Sequence, residues 1–188
     1  MENILETNLR ERLILGGLKE LEEHGIKNFS LRRVATLAEV SCAAPYRHFK
    51  NKEDLITAIV DYIKNDWLLL SQQISSIFAI DLPNLIKELC SANVKFWMAN
   101  GNFLSVLFLI QSSTDPNQKK YLAEFDLPLI DAIKNYAFNK NFSEEKLSNL
   151  QVAIPSLIYG AIMLITRGSS TSENLIAQMK STIDSLLS

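Results

Sequence analysis

Apolar residues recur along this chain at the three- and four-residue spacing of helix faces, and no long stretch alternates with a period of two. Leu9, Leu13, Ile14, Leu18 and Leu21 form one stripe between Asn8 and His24, with charges around the rest of the circle. Gly25 followed by Ile26 predicts the end of that helix, because glycine tolerates a positive φ and the next apolar residue folds back. The pair Gly16-Gly17 weakens the helix interior and predicts a second backbone crossing closely there. Ser30 opens a second helix, Leu31 to Leu37. A turn over Ala38 to Ser41 leads to a third, roughly Cys42 to Phe49. Asn51 or its neighbour starts a long fourth, to about Ser71, with Leu55, Ile56, Ile59, Ile63 and Trp67 on one side. Its first turn holds Glu53 and Asp54, which suit the positive end of a helix dipole.

Beyond about residue 75 short helices give way to long ones. Asp81-Leu82-Pro83 starts a helix that runs to about Ala99. Phe103 to Ile110 is apolar nearly all round and is expected to be buried. Asp115-Pro116 starts another helix, expected to bend or break at Pro128. Phe142 to Glu145 opens the apolar helix that contains Pro155 and ends near Gly168, and Ser172-Glu173 caps a last helix to about Leu187. The pattern is all-α, with a small front unit over residues 1–52 and a larger helical bundle over 53–188. The longest apolar run, Val152 to Ile165, contains Pro155, Ser156 and Gly160. It falls short of the roughly 20 residues of a membrane span, so no membrane partner is expected.

A net charge of -2 does not describe a uniformly basic protein, but the average hides a local feature. Between Ser30 and Lys52 the cations are Arg32, Arg33, Arg47, Lys50 and Lys52, and Glu39 is the only acid. One basic face suffices to attract phosphates, because the local field decides. Cys42 and Cys90 lack metal-ligand spacing, and no secretory signal opens the chain, which points to a reduced, cytoplasmic compartment with no metal or cofactor. The only histidines are His24 and His48, and no nucleophile elbow, phosphate loop or dinucleotide fingerprint appears, so catalysis is not expected.

Two short helices joined by a tight turn, with a helix before them, are the parts of a helix-turn-helix. "AEVSCAAPYRHFKNK", Ala38 to Lys52, meets the demands of such a unit. Small residues at the front of the third helix, Cys42, Ala43 and Ala44, let its backbone approach base edges in the major groove. Pro45 suits a first turn, where its missing N–H is no loss, and Pro45, Phe49 and Val40 are placed to face inward. Tyr46, His48 and Lys52 supply donors for phosphate oxygens.

The stretch "SLRRVATLAEVSCAAPYRHFKNKEDLITAIV", Ser30 to Val60, closely resembles the DNA-binding domain of the tetracycline-repressor (TetR) family of bacterial regulators, with the strong part covering roughly residues 9–60. Glu39 stands where that family often has glycine. "PSLIYGAIML", Pro155 to Leu164, faintly resembles a Trp-x-x-x-His-Gly segment of one regulatory-domain subgroup, with Tyr159 in place of its histidine. The resemblance implies a homodimer on a double-stranded, near-palindromic operator, and a rear domain that binds a small-molecule effector. It implies phosphate contacts from Ser30, Tyr46, His48 and Lys52, a base contact from Arg32, and base-facing positions at Cys42, Ala43 and Ala44. In the rear bundle Asn93, Trp97, Phe108, Gln111, Phe125, Tyr159 and Met163 are candidates to line an apolar or aromatic effector's pocket, although aromatics at helical spacing also build plain core. Two other readings remain: a helical small-molecule binder without DNA binding, and a protein-interaction module whose basic face meets an acidic partner.

Overall fold

The computed structural model describes residues 2–100 and 116–188, with side chains over 9–100 and 123–188. Its elements are α1 (Glu2–His24), a 3-10 turn (Ile26–Asn28), α2 (Leu31–Leu37), α3 (Pro45–His48), α4 (Lys52–Ile77), α5 (Leu82–Ala99), α6 (Pro116–Asn139), α7 (Glu144–Thr166) and α8 (Ser172–Leu187). No strand occurs among the described residues. The apolar stretch Phe103 to Ile110, expected to be buried, lies outside them.

The backbone contacts divide the described residues into two compact units, residues 2–66, and residues 67–100 with 116–188. In the first, α1 packs on α2, and the stripe read from the sequence is its core. Leu13, Ile14 and Leu21 of α1 are buried, together with Phe29, Val34, Phe49, Leu55 and Ile59. The glycine pair does what its position suggested. A Cβ on Gly16 would stand 3.2 Å from the Val34 carbonyl oxygen, and one on Gly17 would reach 2.6 Å from Ile59 Cδ1. Gly25 ends α1 at φ 66. Asn51 accepts the Asp54 amide at 2.8 Å while the Asp54 carboxylate accepts the Lys50 amide at 2.9 Å, a reciprocal cap that sets where α4 begins.

In the second unit α5 packs against α6, α7 and α8. Leu89, Cys90, Val94, Leu129, Ile133, Ile154 and Ile183 are almost wholly enclosed. Lys87 with Asp184 and Lys180 with Glu88, each at 2.7 Å, join α5 to α8 along the edge. The Tyr136 hydroxyl donates to the Leu187 carbonyl at 3.0 Å. Pro128 does not interrupt α6, which is continuous from Pro116 to Asn139. A proline removes one backbone hydrogen bond, and the buried Phe125, Leu129, Ala132 and Ile133 on either side hold the helix together across it. At the last helix Thr171, rather than Ser172, supplies the cap, accepting the Asn174 amide at 3.3 Å.

Candidate nucleic-acid interface and effector site

The turn between α2 and α3 depends on one unusual backbone conformation. Glu39 sits at φ 55, in the left-handed region that a side chain disfavours. This is the position where the resembled family often has glycine. The turn is held around it: the Ala38 amide donates to Val34 O at 2.9 Å, the Val40 amide to Ala35 O at 2.9 Å, and the Arg12 guanidinium to the Ala38 carbonyl at 2.5 Å. The chain then reaches α3, which is shorter than its sequence suggests. Cys42 and Ala43 lie in the preceding turn, and Pro45 is the first helical residue.

Pro45 and Phe49 face inward, as their spacing predicted. Cys42, Ala43, Tyr46 and Arg47 are exposed, Tyr46 at 63%, and His48 is half-buried. Ala44 departs from the expectation. It is only 7% exposed, so of the three small residues before Pro45 only Cys42 and Ala43 are exposed. The reason is geometric: in one tight turn leading into Pro45, the residue next to the inward proline turns inward with it. Arg32 projects from α2 and is exposed. Ser30 is half-buried at the start of α2, and its hydroxyl caps no amide.

Two cations of the basic segment are tied down by structure. Lys52 Nζ donates to the Ile26 carbonyl at 2.8 Å and stands 5.6 Å over the Phe29 ring. Arg33 grips Glu20, whose side chain is wholly buried, through Nε at 2.9 and 3.0 Å and Nη2 at 2.5 Å. The same guanidinium also donates to the Asn28 carbonyl. Glu20 further accepts the Ser30 amide at 3.0 Å and lies 3.2 Å from His24 Nδ1. Burial by itself would raise the Glu20 carboxyl. The hydrogen bonds from Arg33 and Ser30, with the charges of Arg33 and His24, outweigh it and hold the carboxyl below its ordinary value. One carboxylate therefore ties together α1, the 3-10 turn and the start of α2. Sequence reading passed over Glu20, although an acid one turn beyond Gly17 on the inward stripe of α1 was the available signal.

In the second unit the structure brings together only part of the predicted effector set. Trp97 and Phe125 meet with tilted rings at 5.3 Å between centroids, and Trp67 joins them, 5.4 Å from Phe96 and donating Nε1–H to the Phe125 carbonyl at 2.8 Å. Asn93, one turn before Trp97 on the same face of α5, is 4% exposed, and its Oδ1 has no hydrogen-bond partner among the described residues. The buried Ser91 Oγ is likewise unpartnered among them. Tyr159 and Met163 lie instead on the outer side of α7, 40% and 45% exposed. Phe108 and Gln111 lie outside the described residues. Asp126, which follows Phe125, has no cation beside it among the described residues, and burial raises its carboxyl to about 6. Burial, with a contribution from Asp126, raises the Tyr159 hydroxyl to about 12. Cys90 is core, and burial pushes its thiol far up.

Residues 13–59 match the family model of the bacterial regulatory proteins, tetR family. Among solved structures the chain is similar to a protein with unknown function from Rhodococcus sp. RHA1, at TM-score 0.80 and 17% identity over 93% of each chain. It is similar to the TetR family transcriptional regulator PfmR from Thermus thermophilus, at TM-score 0.67 and 18% identity over 94% of this chain and 97% of that one. It is also similar to the transcriptional regulator FadR from Bacillus subtilis in complex with stearoyl-CoA, at TM-score 0.71 and 13% identity over 95% and 97%. With its turn geometry, its matched segment and this fold together, the chain has at its amino end a helix-turn-helix that matches the tetR family model, and its described residues share the all-helical fold of the transcriptional regulators it is similar to.

Proposed function

We propose that the protein is a homodimeric repressor, released from a near-palindromic operator when a small apolar or aromatic effector enters its second unit. The observation that carries this reading is the arrangement at α3. Pro45 and Phe49 anchor the helix from beneath, while Cys42, Ala43 and Tyr46 are left exposed, with Arg32 exposed on α2. In this reading Cys42 and Ala43 approach base edges, Arg32 reads a base, and Ser30, Tyr46, His48 and Lys52 meet phosphates. With only small side chains at the front, specificity rests on Arg32, on thymine methyl contacts and on DNA shape.

The dimer reading rests on α7 and α8. Val152, Ser156, Tyr159, Met163 and Leu164 form an outward stripe along α7, and its large apolar members are 40–68% exposed. This helix is long and apolar enough to cross a membrane by length and composition, yet it buries Leu150, Ile154, Ile158 and Ile162 within the unit. A second copy covering the outer stripe satisfies both faces. The effector reading rests on the aromatic group. Trp67 belongs to α4, and α4 begins at Lys52, so a guest that displaces Phe125 from Trp67 acts on the helix that starts at the DNA-binding residues. An acyl chain like that of the stearoyl-CoA held by the Bacillus subtilis neighbour is one apolar body such an interior suits. Effector and DNA then oppose each other by the same factor in both directions.

The test is duplex binding to DNA flanking the chain's own gene, read across salt and with light scattering of the free protein. A dimer whose affinity falls steeply with salt supports the repressor. A stable monomer, or no salt-dependent affinity for any duplex, refutes it.

A further inference from the structure

One face of α5 sets a polar side chain among aromatic ones. Asn93 precedes Phe96 by three residues and Trp97 by four, so it lies beside both on the helix surface. Between ring centroids Phe96 stands 5.4 Å from Trp67 and Trp97 stands 5.3 Å from Phe125, so the two rings flanking Asn93 reach α4 and α6. Asn93 is 4% exposed, and its enclosed Oδ1 accepts no hydrogen bond among the described residues. The Trp67 indole N–H does not meet this need, because it donates to the Phe125 carbonyl at 2.8 Å. The backbone of α5 does not meet it either, since amides in a helix interior already bond carbonyls four residues back. Among the described residues the other buried polar side chains of this unit are Ser71 and Ser91, and neither carries a charge. Ser71 donates to the Leu68 carbonyl at 2.8 Å, and Ser91, two residues before Asn93, is turned to a different side of α5.

We infer that Asn93 selects the effector by its hydrogen-bond donor: the ligand is an apolar molecule with a neutral hydroxyl or amide N–H, its body among Phe96, Trp97 and Phe125 and its donor on Asn93 Oδ1. This rests on the effector reading above and specifies its chemistry. A buried acceptor without a donor costs free energy in the empty protein, and a guest that brings a donor recovers it. A guest whose polar group only accepts leaves Oδ1 unmet and sets a second lone pair against it. A charged head would stand among buried side chains of this unit that offer no counter-charge among the described residues. Leucine has nearly the shape of asparagine and would fill the position without that cost, so the carboxamide adds no packing that an apolar side chain lacks. What it adds is one directed polar contact inside an aromatic wall, the usual device by which an apolar site fixes a ligand's orientation.

The experiment compares two isomers, decanol and methyl nonyl ether, each below its solubility limit. They have the same atoms and nearly the same apolar surface, but only the alcohol carries a donor. The chain's two tryptophans, Trp67 and Trp97, both belong to the aromatic cluster, so intrinsic emission reports binding, with calorimetry as a second readout. Decanol is expected to bind about tenfold tighter than the ether. Asn93→Leu should bring the two isomers to equal affinity, and its melting temperature should rise because the unmet acceptor is gone. The comparison on the unaltered protein decides the matter by itself where the variant does not fold. If the ether binds as tightly as decanol, or Asn93→Leu keeps the preference, the donor assignment is overturned and the effector reading stands. If neither isomer binds to the folded protein, both fall.

Discussion

Arg33 and Lys52 lie in the same basic segment, and each donates to a carbonyl of the turn over Ile26–Asn28, yet their charges face different fates. Lys52 gives one hydrogen to the neutral Ile26 carbonyl, and no carboxylate pairs with it among the described residues, so its charge stays available to a phosphate. Arg33 is matched by the buried Glu20 carboxylate at 2.5–3.0 Å, and the pair sums to zero. Each phosphate neutralised adds about 0.9 to the slope of log affinity against log salt. Lys52→Met should therefore flatten that slope by about 0.9 per chain, or about 1.8 for a dimer with two copies. The double variant Glu20→Gln with Arg33→Met removes the pair without changing net charge or leaving one buried partner alone. Its slope should equal that of the wild type. Its affinity should fall by roughly tenfold at every salt concentration, because Ser30 and Asn28 lose charge-assisted bonds that hold the start of α2. Fluorescence anisotropy with a labelled duplex over a salt series measures both quantities. A double variant that flattens the slope as much as Lys52→Met would show that Arg33 meets phosphate, and would refute the assignment of Glu20 as its counter-charge.

Glu39→Gly should raise thermal stability by roughly 0.5–1 kcal/mol, read by thermal melting, since glycine relieves the strain at φ 55 while losing more chain entropy on folding. Val152→Glu with Leu164→Glu places charges on the outer stripe of α7. Light scattering should report a monomer with unchanged helical circular dichroism, and a persisting dimer would move the interface elsewhere. Asp126 titrates near 6 when folded against an ordinary 3.8, so the folded state holds its proton between those values and the unfolded state does not. Stability from this group is thus present at low pH and lost as pH rises through about 6. Asp126→Asn should raise stability at neutral pH by about 3 kcal/mol at most and flatten the pH profile between those two values, measured by urea unfolding.

Helix placement was legible because it depends on local chemistry. The stripe of Leu13, Ile14 and Leu21, the stop at Gly25, the Asn51 cap and the Asp81 start all act within a few residues, and the structure has them where the sequence puts them. The inward turn of Pro45 and Phe49 was legible for the same reason, a four-residue spacing on one short helix. Other features needed partners far apart in the chain. Ala44 reads as one of three small front residues, and only packing shows that it turns inward. Arg33 reads as one cation among five, until Glu20, thirteen positions earlier, is seen beneath it. Tyr159 and Met163 read as pocket lining because their residue types suit it, but the rotation of α7 about its axis is decided by α5, α6 and α8 and leaves them on the outer side. By itself the sequence determined the all-helical fold and the positions of its helices, since periodicity and capping are properties of neighbouring residues. Which charges are cancelled by a partner, and which polar atoms are buried without partners among the described residues, was decided by the tertiary structure alone, because charge cancellation and desolvation depend on distance in space.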